Sequence, residues 1–132
     1  MILVDSSAWI EYLRATGSPA DRRLATALET DEPIATTGIV LLEVLCGARD
    51  ERQARDLSRL LDRCRFLPLD EPSDHEAAAA LYRACRRAGA TIRRLPGCLI
   101  ATVAIRNEIA LLHQDADFDA IAAHAPLATA AQ

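Results

Sequence analysis

The amino-acid sequence predicts an α/β fold in which a parallel sheet of four to five short strands carries helices on both faces. Short, continuous apolar runs recur along the chain, and each is followed by a segment with the apolar spacing of a helix. Hydrophobic residues make up 51% of the chain and charged residues 26%, which excludes a disordered protein. Its 132 residues are enough for one core, so we expect 1–132 to be a single domain.

The first half of the chain predicts two strands and three helices. The apolar run Ile2–Val4 is typical of a strand buried on both faces, and Ser6 or Ser7 can cap the helix after it. Pro19 is suited to the first turn of a second helix, and Gly47 to the end of a third. The predicted elements are a strand over 2–4, helices over 8–13 and 19–29, a strand over 33–36 and a helix over 38–47.

The second half continues the alternation. Pro68 lies inside a short apolar run and restricts it to the edge of a sheet, because proline cannot donate to a central ladder. Pro96 can open a helix in the same way as Pro19. The predicted elements are helices over 50–63, 74–88 and 97–106, an edge strand over 66–69, a strand over 110–113, a helix from 118 and a short fifth strand over 127–129.

The cysteines and histidines are expected to be structural. The cysteines show no Cys-x-x-Cys spacing and lie in apolar helical patterns, which favours buried free thiols over zinc or disulfides. His113 is expected to pack at the end of a strand, and His75 and His124 to lie on helix surfaces. The four cysteines are Cys46, Cys64, Cys85 and Cys98.

The sequence contains neither a membrane-spanning run nor a signal peptide. No apolar stretch reaches the length of about 18 residues that a spanning helix needs. The N-terminal apolar run meets a carboxylate at Asp5, too early for a signal peptide. We therefore expect a cytoplasmic protein.

Carboxylates follow two of the predicted strands. Asp5 comes directly after the first strand, and Asp115 and Asp117 follow the strand over 110–113, so all three should lie at one edge of a parallel sheet. Glu43 interrupts an otherwise apolar helix face, where burying an unpaired glutamate would be costly. Clustered carboxylates persist only with bound protons or a cation, and oxygen ligands favour Mg²⁺ or Mn²⁺. The pattern is that of metal-assisted phosphodiester hydrolysis.

A stretch of the chain carries arginines and no acidic residue. Between residues 77 and 107 there is no Asp or Glu, although the net charge of the whole chain is −4. The arginine tract could hold the backbone of an anionic substrate, or its members could pair with acidic helices or with a partner protein. The expected substrate-binding arginines are Arg86, Arg87, Arg93 and Arg94, and the tract also contains Arg83 and Arg106.

Each acidic residue also has a structural interpretation. Asp5 can cap the following helix, and Asp115, Asp117 and Asp119 can belong to a solvated loop or helix start. Glu43 can form an ion pair with an arginine. These interpretations remain open when the residues are considered singly.

Four segments, taken together, resemble the PIN-domain proteins of the VapC toxin type. They are ILVDSSAWI at 2–10, LLEVLCG at 41–47, CLIA at 98–101 and LLHQDADFDAIA at 111–122. The resemblance covers nearly the whole chain. It depends on the order and spacing of the four segments together, since each segment alone is a weak signal.

The resemblance implies a Mg²⁺- or Mn²⁺-dependent endoribonuclease that cuts tRNA or rRNA in exposed loops. It implies a homodimeric toxin, with a VapB-type antitoxin that wraps its helices and inserts a basic side chain into the acidic pocket. Asp5, Glu43, Asp115 and Asp117 match the family's catalytic acids, and Ser7 matches its small hydroxyl residue. Among these, Asp5, Asp115 and Asp117 are the implied metal ligands.

The chain departs from the family pattern at Gly97, where the resemblance implies an aspartate before CLIA. Loss of one carboxylate should weaken metal binding and rate. Gly97 is either an engineered substitution or a natural loss in a toxin that keeps its antitoxin surface, unless Asp119 or a water takes over. A catalytically inactive antitoxin-binding module is therefore the alternative function. A phosphotransfer enzyme with Asp5 as nucleophile would need a second aspartate at the position of Ser7.

Overall fold

Four parallel strands form one sheet in the order β3-β2-β1-β4. This computed structural model describes residues 1–130. The strands are β1 (Ile2–Val4), β2 (Ile34–Thr36), β3 (Arg65–Phe66) and β4 (Ala110–Leu112). The helices are α1 (Ser6–Leu13), α2 (Pro19–Glu29), α3 (Gly38–Cys46), α4 (Glu51–Asp62), α5 (Ser73–Arg87), α6 (Leu95–Arg106) and α7 (Ala116–His124). The α/β class and the parallel sheet flanked by helices are confirmed.

Strand β1 is paired on both sides, and its three side chains are all apolar. Ile2 pairs with Ile34 of β2 on one side and with Ala110 of β4 on the other. Successive side chains of a strand point to opposite faces, and all three in β1 are buried, so both faces of the sheet are covered. The first strand thereby delivers its C-terminal end, and Asp5, to the middle of one sheet edge.

The two ends of the sheet are shorter than predicted. At one edge, β3 is limited to two exposed residues, because Pro68, two residues beyond its end, cannot donate to the ladder. At the other edge, the predicted fifth strand over 127–129 is a single parallel bridge between Leu111 and Thr129. The backbone N–H of Leu111 donates to the carbonyl of Ala128 over 2.9 Å, and that of Ala130 to the carbonyl of Leu111 over 2.8 Å.

The helix ends follow the capping chemistry of the sequence, with one correction. Asp5 caps α1, and its carboxylate accepts from the backbone N–H of Ser7, so the prediction of Ser6 or Ser7 as the cap was wrong. Aspartate is a strong cap, and the strand ends one residue before it. Helix α2 spans the predicted residues, with Ser18 as its cap and Pro19 in the first turn. Gly47 ends α3 as expected.

The cysteine prediction is confirmed for two of the four residues. Cys85 and Cys98 are buried free thiols, and Cys64 is partly buried. Cys46 is exposed, which contradicts the prediction, because it is the last residue of α3 and lies beyond the buried face of that helix. Burial raises the pKa of the Cys98 thiol to about 11, which makes it a poor nucleophile.

No helix within residues 1–130 is both long and apolar enough to cross a membrane. The buried apolar side chains of the same residues form one cluster around the sheet. That residues 1–132 fold as a single domain stays a prediction.

An ion pair between a buried carboxylate and a partly exposed arginine ties the start of α5 to the end of α6. Asp74 is 2% exposed, and its carboxylate accepts from Arg106 Nε over 2.9 Å and Arg106 Nη2 over 2.8 Å. Arg106 also donates to the carbonyl of Pro68 over 2.9 Å. Burial alone would raise the pKa of Asp74, but the hydrogen bonds from Arg106 and from the backbone of Asp70 outweigh it and lower the pKa. One arginine of the tract is thus a structural residue.

Replacing Asp74 by Asn should lower the free energy of unfolding by about 2 kcal/mol at neutral pH, since it removes charged hydrogen bonds to Arg106. The folded-state pKa of Asp74 lies below its unfolded value of 3.8, so the contribution is complete above that value and is lost as pH falls. Urea unfolding from neutral to acidic pH should show the deficit of Asp74→Asn shrinking at the acidic end. Asp56→Asn, in an exposed pair with Arg59, is the control and should change little. A deficit that persists unchanged in acid would contradict this role.

Candidate active site

Two neighbouring strands bring the first acidic residues together. Strands β1 and β4 run side by side, and each ends in an acidic segment. The backbone N–H of Asp5 donates to the carbonyl oxygen of Leu112 over 2.9 Å, which places Asp5 beside the chain that leads to Asp115. This is the edge at which parallel α/β sheets bind ligands.

The four predicted catalytic acids line one small cavity. Its volume of about 10 Å³ is close to the least that a single water molecule requires. Two apolar side chains and one guanidinium complete the wall. The lining residues are Asp5, Glu43, Arg94, Gly97, Ile100, Asp115, Asp117 and Phe118.

Asp5 is held by Ser7. Asp5 is 2% exposed, and its Oδ2 accepts from the backbone N–H of Ser7 over 2.9 Å and also from the Ser7 hydroxyl. The same hydroxyl accepts from the backbone N–H of Gln114 over 2.9 Å and so links the two acidic segments. Burial raises the pKa of the Asp5 carboxyl, although the hydrogen bonds from Ser7 and the charge of Arg94 act to lower it. Ser7 thus fixes the orientation of the Asp5 carboxylate.

Asp115 and Asp117 organise the backbone on either side of the cavity. Asp115 caps α7 by accepting from the backbone N–H of Asp117 over 2.9 Å. Asp117 is 4% exposed, and its Oδ2 accepts from the backbone N–H groups of Arg93 and Arg94 over 3.0 and 3.1 Å. One carboxylate therefore anchors the segment that precedes α6, a role that the spacing of the residues could not reveal.

Glu43 is paired with an arginine. Its side chain is 21% exposed and forms an ion pair between Oε2 and Arg94 Nη2. Glu43 Oε1 accepts from the hydroxyl of Ser6 over 3.0 Å. The ion-pair interpretation of Glu43 is therefore realised, and it coexists with a place in the cavity wall.

The arginine tract divides into residues at the cavity and residues away from it. Arg93 lies 3.6 Å from Asp115 Oδ1 through Nη2 and 3.4 Å from Asp117 Oδ1 through Nε. Arg94 lines the cavity, whereas Arg86 and Arg87 do not. Arg86 lies over the ring of Tyr82 at 5.8 Å from its centroid, on the exposed side of α5.

The acidic residues fit a hard divalent cation by donor chemistry, but not in their present arrangement. Carboxylate oxygens around one small cavity are the ligands that Mg²⁺ and Mn²⁺ prefer. Across residues 1–130, however, no three His, Cys, Asp or Glu side chains are grouped closely enough to hold a metal ion. Guanidinium groups stand against Glu43, Asp115 and Asp117 instead. A bound cation would therefore have to displace arginine side chains.

Gly97 leaves room beside the cavity. A Cβ built on Gly97 would lie 3.5 Å from Phe118 Cζ, which is ordinary van der Waals contact. A methyl group at this position therefore fits without backbone movement. Asp119 does not substitute for it: its side chain is 76% exposed, lies 3.7 Å from His113 Nε2 and is absent from the cavity wall. His113 is buried, and its Nδ1 accepts from the backbone N–H of Asp115 over 3.2 Å, as expected for a packed histidine.

Three residues of the site were not predicted. Ser6 binds Glu43, and Ile100 and Phe118 form the apolar wall of the cavity. Ile100 lies within the CLIA segment and Phe118 within the LLHQDADFDAIA segment, but their apolar character predicts only a core position. Ser6 had a signal, since it follows the first acid directly, yet its partner is 37 residues away.

The chain is similar to known proteins over most of its length. A sequence model described as "PIN domain" matches residues 2–124. The chain is 46% identical over 123 residues to the protein named "Ribonuclease VapC11" from Mycobacterium tuberculosis, covering 92% of both chains. It is 31% identical to "Ribonuclease VapC51" of the same organism, covering 92% of this chain and 85% of the relative.

Solved structures share the fold. The structure titled "Crystal structure of VapBC2 from Rickettsia felis bound to a DNA fragment from their promoter" matches with a TM-score of 0.74 and 18% identity over 98% of both chains. At that identity the likeness concerns the fold alone.

Replacing Asp5 by Asn should raise the melting temperature of the metal-free protein by a few degrees. The pKa of Asp5 lies above its unfolded value of 3.8, so its ionised form costs stability at neutral pH, while the amide can still cap α1. The gain in melting temperature should vanish as the pH falls and the Asp5 carboxyl of the parent chain takes up a proton. Thermal unfolding of both proteins from neutral to acidic pH measures this difference.

Asp50→Asn is the matched control, because Asp50 is also a helix cap, accepting from the backbone N–H of Gln53 over 2.8 Å, but is exposed. It should shift the melting temperature little. A lower melting temperature for Asp5→Asn at neutral pH would show that the carboxylate charge stabilises the fold.

Proposed function

Because the chain belongs to the PIN domain family, we propose that it is an RNA-cleaving toxin of the VapC kind that hydrolyses phosphodiester bonds. The observation that carries the proposal is the convergence of Asp5, Glu43, Asp115 and Asp117 on one cavity at the carboxyl edge of the sheet. Similarity to a ribonuclease over 92% of both chains supports the same activity. The substrate is proposed to be a structured RNA such as tRNA or rRNA.

Asp5, Asp115 and Asp117 are the proposed ligands of a Mg²⁺ or Mn²⁺ ion. When bound, such an ion lowers the pKa of a water molecule and offsets negative charge on the phosphate. Ser7 fixes the orientation of Asp5 by donating to its Oδ2. Asp117 holds the segment before α6 against the cavity through two backbone N–H groups.

Glu43 is the proposed proton acceptor. Its Oε1 is occupied by the hydroxyl of Ser6, so Oε2 is the oxygen that can receive a proton from the attacking water. Oε2 is also the oxygen that pairs with Arg94. Glu43 Oε2 can therefore accept a proton only when the Arg94 guanidinium has moved away.

Arginines outside the cavity are proposed to bind RNA phosphates. Arg86 and Arg87 are exposed on α5, and the side chain of Arg93 is 71% exposed. Guanidinium groups bind phosphate oxygens in a bidentate manner, and this contribution weakens as salt rises. Arg94 and Ser7 lie close enough to the acids to contact the phosphate that reacts. An RNA substrate implies action in the cytoplasm.

The partners proposed are a VapB-type antitoxin and a second copy of the chain. An apolar groove of about 620 Å³ runs between α3, α5 and α6 and exposes Leu42 (63%) and Leu95 (64%). We assign this groove to the homodimer. A separate groove between α1 and α4, lined by Ile10, Leu13 and Leu57, leads to Glu43 and suits an antitoxin segment that ends at the acidic cavity.

Gly97 favours a second candidate, a catalytically inactive module that still binds antitoxin. The cavity has a glycine at the position where the family resemblance implies an aspartate, and arginines face three of the acids that remain. Such a protein would keep the fold and both grooves without cleaving RNA.

Replacing Gly97 by Asp should raise Mn²⁺ affinity and RNA cleavage by at least about tenfold each, because even groups that only orient the ligands of a metal typically change its affinity or activity by about 10- to 100-fold. Isothermal titration with Mn²⁺ and single-turnover cleavage of a labelled tRNA pool measure the two effects. Gly97→Ala is the control: its Cβ makes the same contact with Phe118 and adds no charge.

The outcomes separate the two candidate functions. Metal-dependent cleavage by the glycine form supports the ribonuclease. Cleavage that appears only in Gly97→Asp identifies a ribonuclease fold that Gly97 has disabled, and this chain is then the inactive module. If neither form binds Mn²⁺ or cleaves RNA while antitoxin binding persists, the inactive module is correct.

Replacing Leu95 by Asp should convert a dimer into a monomer, since it places a charge in the apolar groove between α3, α5 and α6. Light scattering after gel filtration measures the mass. Leu13→Asp, on α1 outside that groove, should remain dimeric. A monomeric parent chain would contradict the assignment.

A further inference from the structure

The acidic cavity contains its own positive charges. Four carboxylates that share one cavity repel one another, so in the absence of an added cation they require protons or basic side chains. Arg94 faces Glu43, and Arg93 faces both Asp115 and Asp117. Two guanidinium groups therefore offset part of the charge of the four acids.

Of the two arginines, Arg94 makes the closer contact with an acidic residue of the cavity. It lines the cavity beside Gly97 and is paired directly with Glu43, whereas Arg93 lies 3.4 to 3.6 Å from its carboxylate partners and does not line the cavity. A cavity of about 10 Å³ has no space for both a guanidinium at its wall and a hydrated divalent ion.

The side chain of Arg94 can move away from the cavity without disturbing the fold. Its backbone N–H is fixed by Asp117 Oδ2 over 3.1 Å, while its side chain is 51% exposed. The guanidinium can therefore rotate into water while the backbone stays in place. The energetic penalty is loss of the Glu43 ion pair, which is only partly buried.

We propose that Arg94 is an internal counter-ion that keeps the cavity closed to divalent metal, so that the metal binds only as the guanidinium swings out. This inference rests on the proposed metal-dependent function. Metal entry and release of Glu43 Oε2 then occur together, because Arg94 blocks both. The displaced guanidinium remains at the rim, where it can bind the phosphate of an RNA substrate.

The proposal predicts that Arg94→Gln binds Mn²⁺ at least about tenfold more tightly than the parent chain, since a unit positive charge a few ångströms from the ion is removed. The measurement is isothermal titration of the full chain with Mn²⁺ at low ionic strength. The advantage should narrow as salt is added, because exposed charges are screened. Arg59→Gln, an identical change on the exposed surface of α4, is the control and should bind as the parent does.

Thermal unfolding supplies a readout that does not depend on cleavage. Without metal, Arg94→Gln should melt below the parent chain, because Glu43 loses its counter-ion and the acids repel one another. With saturating Mn²⁺ its melting temperature should rise more than that of the parent, as tighter binding requires.

Failure of the proposal for Arg94 can be distinguished from failure of the proposed metal-dependent function. If Arg94→Gln binds Mn²⁺ no more tightly than the parent chain, Arg94 is not a competing counter-ion, although the metal site stands. If the parent, Arg94→Gln and Gly97→Asp all fail to bind Mn²⁺, the proposed metal-dependent function itself is wrong, and this inference falls with it.

Discussion

Mutual repulsion among carboxylates is the constraint on which the rest of this site depends. Parallel pairing of β1 with β4 delivers Asp5 and the 115–117 segment to one sheet edge, and α3 adds Glu43. Acids held this close cannot all remain ionised without compensation. Arginines face Glu43, Asp115 and Asp117, and burial raises the pKa of Asp5.

The same carboxylates also build the fold around the cavity. Asp5 and Asp115 cap α1 and α7, and Asp117 accepts two backbone N–H groups from the segment before α6. A carboxylate has two oxygens with several lone pairs, so one residue can accept from backbone N–H groups at a helix end and still present lone pairs to a cation. The structural and functional interpretations of these aspartates are therefore complementary rather than exclusive.

Arginines of one sequence tract have different environments. Arg106 is bound to buried Asp74 and joins α5 to α6, Arg94 closes the acidic cavity, and Arg86 rests on Tyr82 at the surface. The acidic partners of Arg94 and Arg106 come from distant segments, so these two pairings could not be read from the sequence.

The sequence by itself determined the order of strands and helices, the parallel sheet and the convergence of Asp5, Asp115 and Asp117. Those features follow from local periodicity, capping and the geometry of parallel strands. The tertiary structure alone decided that Glu43 pairs with Arg94, that Asp117 anchors the backbone of Arg93 and Arg94, and that the fifth strand shrinks to one bridge. These outcomes depend on distances between residues far apart in the chain, and local patterns carry no information about such distances.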